Sequence, residues 1–356
     1  MKHKRGKMKT HSQTWLPIIA SALLLGACSQ PAQNHAEQFD FQEPAQTQEE
    51  TTGKEVKEPI VIGHTYIPSI QFAPSYIAKE KDLFPSELNV ELRHHGADEG
   101  LFTALLAGEE NLVIATADEM LQARSNGLDL ISVGTYYSKY PVKIIVKEDS
   151  TINSISDLKG KTVGLPGEYG SNWFALQAAL KEANLSKTDL KIQSIGYTQL
   201  AALRTNQVDA VVGFTNNDTV QFNLAGEKVK EIELSAGELP LLSANIVTTS
   251  EFAKTHPDEL KQVLKALKNG MQKSVDNPQT AVEATKVYDT NLNTPEAEKA
   301  ALETIKATNL LFAPNGKVDF TQDIEKWQKM ADFLGTLDGV LGSKVRIDTA
   351  VTNEYL

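Results

Sequence analysis

The chain has 356 residues, 35 Lys and Arg against 46 Asp and Glu, a formal net charge of −11, 41% apolar residues and a single cysteine. An acidic balance argues against nucleic acid or anionic lipid as a partner. The apolar fraction is that of an ordinary packed soluble protein, and one cysteine cannot staple it.

Lys2, Lys4, Arg5, Lys7 and Lys9 open the chain without an acidic residue, and the apolar run LPIIASALLLGA follows from Leu16 to Ala27. A basic region before about a dozen apolar residues predicts a secretory signal over 1–27, since a membrane span needs roughly 20. The run ends in Leu25-Gly26-Ala27-Cys28, which resembles the bacterial lipobox. There a diacylglycerol joins the thiol, a peptidase cuts before the cysteine, and the new amine takes a further acyl chain such as palmitate. A plain signal peptide with a chance cysteine, or an uncleaved anchor, is the alternative reading. Cleavage would remove five basic residues and move the formal charge from −11 to −16. Residues 28–58 are rich in Gln, Glu, Thr and Pro, cannot bury enough apolar surface to offset ordering, and read as a lipidated, disordered tether.

From Pro59 the texture changes. Ile60–Gly63 predicts a strand, Ser75–Phe84 a helix, Leu88–Leu92 a strand, Gly100–Leu106 a helix, Leu112–Ala115 a strand, Asp118–Ser125 a helix and Leu130–Val133 a strand. Val142–Lys147 reads as a crossing strand, and the pattern then repeats. Strands at Thr162–Leu165, Lys191–Ile195 and Ala210–Phe214 alternate with helices at Ser171–Ala183 and Thr198–Thr205. Ser243–Thr248 reads as a second crossing. From Pro257 the chain is mostly helical, with breaks at Asn277-Pro278, Pro314-Asn315-Gly316 and Gly335. The expected class is α/β, with parallel βαβ units in two lobes: 59–142 with 248–356, and 143–247.

Three stretches carry a resemblance. IGHTYIPSIQFAPSYIAKEKDLF, from Ile62 to Phe84, is similar to the first strand, loop and helix of solute-binding proteins of ABC importers. SISDLKGKTVGLPG, from Ser154 to Gly167, resembles the start of their second lobe, and QVDAVVGF, from Gln207 to Phe214, a return strand. The likeness runs over about 60 to 340, in the branch named for thiamine-pyrimidine synthase, which also takes in sulfonate, nitrate and riboflavin binders. It implies a type II periplasmic-binding fold, two α/β lobes joined by a two-strand hinge and closing on one small molecule. It further implies delivery to an ABC permease with its ATPase, by a monomer on the extracytoplasmic face of the cell membrane that touches lipid through its anchor alone.

In open α/β sheets the site lies beyond the carboxyl ends of strands. The candidates are Tyr66, Gln71 and Phe72 after the first strand, and Thr116 and Asp118 after the third. Glu168, Tyr169, Gly170, Ser171, Asn172 and Trp173 open the second lobe, and Phe214, Asn216 and Asn217 follow its return strand. Tyr136 and Tyr140, with Tyr137, precede the first crossing. Gly170 lets backbone approach a ligand, Ser171 or Asn172 suits a helix cap, and the aromatics suit a flat ring; ordinary capping and core packing are the competing readings. Asp118, Glu119 and Glu168 would repel a sulfonate or nitrate, and no Arg lies in these loops to clamp one. A neutral or cationic heteroaromatic fits better: a thiamine pyrimidine precursor, or a riboflavin-like ring. His94 and His95 alternate faces, so surface exposure is expected rather than a metal site. The lysines from Lys261 to Lys273 read as a solvated helix face. No cofactor is expected. G-x-S-x-G, H-E-x-x-H and Walker-type loops are absent, and so is the cysteine cluster of the synthase that names the branch.

Overall fold

The computed structural model describes residues 58–96, 99–237 and 239–356. The expected signal, Cys28 and all of the tether up to residue 57 lie outside the described residues. In chain order, β1 (Ile60–His64) leads to α1 (Ala73–Glu80), β2 (Val90–His94), α2 (Thr103–Ala107), β3 (Leu112–Thr116), α3 (Ala117–Ser125) and β4 (Leu130–Thr135). A second run holds β5 (Val142–Lys147), β6 (Thr162–Leu165), α4 (Gly170–Glu182), β7 (Lys191–Ser194), α5 (Gln199–Arg204), β8 (Ala210–Phe214), α6 (Val220–Leu224) and β9 (Val229–Ile232). The chain returns through β10 (Ala244–Thr249) to α7 (Ser250–Thr255), α8 (Pro257–Asp276), α9 (Pro278–Thr285), α10 (Pro295–Phe312) and α11 (Ile324–Leu334).

Two five-stranded sheets result, ordered β2-β1-β3-β10-β4 and β7-β6-β8-β5-β9. In each, four strands run in one direction and one antiparallel strand contributed by a crossing is inserted among them: β10 between β3 and β4, β5 between β8 and β9. The sheets are thus two copies of one topology, with β1 matching β6 and β3 matching β8. That match places four strand ends in equivalent positions.

Apolar burial holds each sheet between helices. Tyr76, Ile77, Leu264, Ile305 and Phe312 cover one face of the first sheet, and Leu203 and Phe222 cover Ile145 and Val211 of the second. A third cluster is shared by the lobes, joining Met120 and Leu121 of α3, Phe174 and Leu176 of α4, and Trp327 and Met330 of α11. Lys181 of α4 also donates to Thr336 beyond α11 at 3.0 Å.

Some boundaries differ from expectation for local reasons. α1 begins at Ala73, because Pro74 in the first turn lacks an N–H that the helix would leave unpaired anyway. β2 lies two residues later than expected, since the Leu88 N–H closes a turn onto Pro85 while Val90 pairs with Ile60. β9 carries no hydrophobic run and is ordered by pairing with β5. His95, expected on the surface, is buried: its Nε2 lies 2.9 and 3.1 Å from the Glu110 carboxylate oxygens, and Arg93 Nη1 lies 2.7 Å from Oε1. Gly63 makes room for this cluster, because a Cβ there would overlap the Glu110 carboxylate. A buried acid needs such partners, and His95 is drawn inward to supply one.

Candidate functional site

Residues that follow β3, β6 and β8, with Tyr140 ahead of β5, form hydrogen bonds across the boundary between the lobes. On the first lobe, Thr65 Oγ1 bonds Ile114 O at 2.9 Å, fixing the start of the loop after β1, and the next residue, Tyr66, is 63% exposed. The loop then turns inward. Phe72 is buried against His64 with ring centres 4.7 Å apart, and Gln71 accepts the Tyr136 hydroxyl at its carbonyl at 2.9 Å. Tyr136 itself is fully buried, edge-on to Phe312. Phe72 and Tyr136 therefore sit in the first lobe's core.

At the end of β3, Thr116 caps α3 through a reciprocal pair: the Glu119 N–H meets the Thr116 side chain, and Glu119 Oε2 accepts from Thr116 Oγ1 at 2.5 Å and Thr116 N at 3.2 Å. Asp118 points across the lobe boundary, where Ser171 Oγ donates to its Oδ2 at 2.8 Å. Tyr140 donates to the carbonyl of the same Ser171 at 3.0 Å.

The loop after β6 divides. Glu168 and Tyr169 face outward, Tyr169 at 58% exposure, with Glu168 paired to Lys187 at 3.8 Å. Gly170 then takes φ +66°, a left-handed turn that favours glycine, and starts α4. Asn172 Nδ2 bonds Val212 O at 2.9 Å, tying the helix to β8, and Trp173 is only 7% exposed in the shared core, with the Lys187 ammonium 5.9 Å above its ring. After β8, Phe214 is half-buried and its N–H donates to Asp218 at 2.7 Å. Asn216 is buried and donates to Thr308 of α10 at 3.0 Å, while among the described residues its Oδ1 has no hydrogen-bond partner; Asn217 is exposed.

The candidates thus separate into two sets. Tyr66, Asp118, Tyr140, Tyr169, Ser171 and Asn216 lie along the boundary between lobes. Phe72, Tyr136, Asn172 and Trp173 pack or brace the lobes behind it. Sequence reasoning passed over Tyr197, which is 82% exposed beyond β7. Its hydroxyl is raised by burial first, then by Tyr169, Tyr66 and Glu119. Tyr66 of one lobe and Tyr169 of the other, with Glu119, therefore lie near Tyr197. The same strand-end rule, applied to β7, would have found Tyr197.

Electrostatics at the boundary favour protonated groups. Burial, then the Asp118 charge, pushes Glu119 up to about 7, and burial also raises Asp118. Burial holds the Tyr137 and Tyr140 hydroxyls above their ordinary range, so both are donors. Such a surface offers aromatic faces, hydroxyl donors and two acids, which suits a polar ring and not an anion. A cavity of about 250 Å³ lies against the crossings, between Tyr137–Lys143 and Glu233–Ser243. Of the boundary set it touches Tyr140 alone, and the loop geometry, which joins both lobes, is the better marker of the site. Among the described residues no group of His, Cys, Asp and Glu is placed to hold a metal ion.

A family model described as NMT1/THI5 like matches residues 69–281, more than half of the chain. The chain belongs to the NMT1/THI5-like family. The matched stretch takes in the loops after β3, β6, β7 and β8, and leaves out Tyr66 and Thr308. The riboflavin-binding protein RibY of Chloroflexus aurantiacus is 28% identical over 350 residues, covering 95% of this chain and 96% of the relative. A 4-amino-5-hydroxymethyl-2-methylpyrimidine phosphate synthase of Legionella pneumophila is 27% identical over 237 residues, 66% of this chain and 72% of the relative. Among solved structures, the periplasmic aliphatic sulphonate binding protein SsuA of Escherichia coli superposes with a TM-score of 0.66 at 19% identity, over 84% of this chain and 99% of that one. The NMT1/THI5-like chain thus has the periplasmic-binding fold that its two-sheet topology displays.

Proposed function

We propose that this chain is the solute-binding lipoprotein of an ABC importer. It captures a neutral or cationic heteroaromatic, a thiamine pyrimidine precursor or a riboflavin-like ring, between its lobes and hands it to a permease driven by its ATPase. The observation that carries this reading is that Tyr66 from one lobe and Tyr169 from the other both lie near the exposed Tyr197, aromatic rings that a flat guest would join by stacking. The loops at these strand ends hold no Arg to clamp an anionic solute such as a sulfonate or nitrate, despite the shared fold with a sulphonate binder.

The remainder rests on the sequence. Lipidation of Cys28 would hold the protein at the extracytoplasmic face, and two or three acyl chains at about 0.8 kcal/mol per buried methylene make a firm anchor. Among the described residues no helix is long and apolar enough to cross a membrane. A synthase activity is disfavoured because the chain has no cysteine beyond position 28. Native mass spectrometry and visible absorption of protein purified without refolding test the reading. A bound ring compound, yellow if a flavin, is expected; turnover of a substrate, or a tightly held sulfonate, would overturn it. Thermal-shift screening follows, since a ligand at 100 times its Kd adds about 2.7 kcal/mol.

A further inference from the structure

His94 closes β2 and His95 follows it, and the two have different partners. His95 answers the buried Glu110. His94 is half-buried against the loop between β1 and α1, the loop that presents Tyr66. Its ring stacks on fully buried His64, with centres 4.8 Å apart and planes at 21°, and lies 6.1 Å from Phe72 and 5.7 Å from Tyr76. Three rings thus confine the imidazole, and Tyr76 is itself stacked on Tyr288 at 4.3 Å.

The hydrogen bonds fix the tautomer. The Tyr66 carbonyl, 3.3 Å from Nδ1, can only accept, so Nδ1 carries the proton. In the neutral ring Nε2 is then bare, and it accepts from the Tyr76 hydroxyl at 3.2 Å. The Tyr76 oxygen in turn accepts the Ser69 N–H at 3.4 Å. One imidazole therefore ties the loop at both ends, Tyr66 directly through its carbonyl and Ser69 through Tyr76. The Tyr66 ring is 63% exposed, so little packing of its own holds it in place.

We infer that His94 is a positioning residue for ligand binding: its neutral Nδ1–H form holds the Tyr66 loop in its binding geometry, and a proton taken up at Nε2 frees that loop. In the charged ring Nε2–H donates to Tyr76, whose own proton has to turn away, and the relay to Ser69 is disturbed. The groups facing His94 are His64 on β1, Arg93 and His95 beside it, Tyr76 on α1, and behind Tyr76 the Tyr288 and Asp289 side chains. Glu99 and Glu110 are paired with Arg93 and His95. Burial holds His94 below the ordinary histidine range. A released loop with an ordinary histidine takes up the proton below about 6.5 and the tied one resists it, so acid favours release. The ligand half of this inference rests on the receptor reading above; the loop half does not.

The test uses the full chain as parent, His94→Ala, His94→Asn and Tyr76→Phe. In the ligand-free parent, nuclear magnetic resonance of isotope-labelled histidine rings should show His94 as the Nδ1–H tautomer near neutral pH. Hydrogen exchange at the Ser69 amide should speed about tenfold in His94→Ala and in Tyr76→Phe. Riboflavin, the ring probe, should bind about tenfold more weakly to both variants. Parent affinity should fall between neutral pH and about pH 5, and less steeply in His94→Asn, which keeps a donor for the Tyr66 carbonyl and cannot titrate. Glu119 titrates in both proteins, so the difference between the two profiles belongs to His94. An Nε2–H tautomer, Ser69 exchange unchanged by either substitution, or parallel pH profiles of the parent and His94→Asn overturn the inference. Should His94→Ala not fold, the profile of His94→Asn decides. A parent that shows the tautomer and the protected amide yet binds no ring compound removes the receptor reading and leaves the loop tie standing.

Discussion

Tyr169 and Trp173 are four residues apart, and both are aromatic candidates in the sequence, yet they should respond oppositely to truncation. Trp173 is 7% exposed within the core that α4 shares with α3 and α11, so Trp173→Ala removes a buried indole from a packed interior. Such a change costs about 3–5 kcal/mol. For a folded part of this size that is a fall of roughly 5–15 °C in thermal midpoint. Tyr169, at 58% exposure, contributes little to the core, and Tyr169→Ala should leave stability within about 0.5 kcal/mol. Its effect belongs to the ligand: loss of one stacking face weakens binding about 10- to 100-fold. Scanning calorimetry and isothermal titration of both variants check this. A Trp173→Ala protein that melts like the parent but loses its ligand would refute the division of the loop into core and cleft sides, as would equal losses of stability in the two variants.

Other consequences are as direct. His64 is fully buried and held down to about 3, chiefly by burial and then by His94. The unfolded chain takes up that proton below about 6.5 while the folded one does not, so His64 erodes stability as pH falls from 6.5 toward 3 by about 1.4 kcal/mol per unit. Glu119, raised to about 7, acts in the opposite sense between 7 and 4.5, where the folded state holds the extra proton. His64→Phe should therefore shift the acid-unfolding midpoint to lower pH, and an unchanged or higher midpoint counts against the burial argument. Gly63→Ala should push the Glu110 carboxylate off His95 and Arg93 and cost about 3–5 kcal/mol in urea unfolding; a neutral effect would mean that the cluster yields easily. Cys28→Ser should abolish palmitate labelling and partition into detergent, and persistent labelling would exclude the lipobox reading.

Much of the fold was readable because its strands are short β-branched runs between turn residues: IVIGH, LVIAT and AVVGF need no tertiary information to be recognised. The exceptions depended on partners. β9, with the sequence VKEI, has no pattern of its own and exists because β5 offers it an edge. His95 was misplaced for a related reason, since nothing local to Arg93-His94-His95 announces that Glu110, across Gly63, is buried and requires a partner.

The site was legible as a set of loops but not as a set of side chains. Strand ends marked where Tyr66, Asp118, Tyr169 and Asn216 would lie. Which face of a loop or helix each residue takes depends on the second sheet, and that information is absent from a local window. Tyr136 and Tyr137 illustrate it: the first turns under Phe312 and bonds Gln71, while the second lies beside Asn216. The cross-lobe bonds of Asp118 with Ser171 and of Asn216 with Thr308 join residues 53 and 92 positions apart, beyond the reach of any periodicity.

Titration calorimetry with riboflavin and an aminopyrimidine, on the parent and on Tyr66→Ala and Tyr197→Ala, bears most directly on the claim that opposite lobes hold one flat guest. The account predicts one saturable site for at least one of these rings, weakened by each substitution with thermal midpoints unchanged. Binding that survives the loss of both tyrosines, or no heat with either ring, would contradict it.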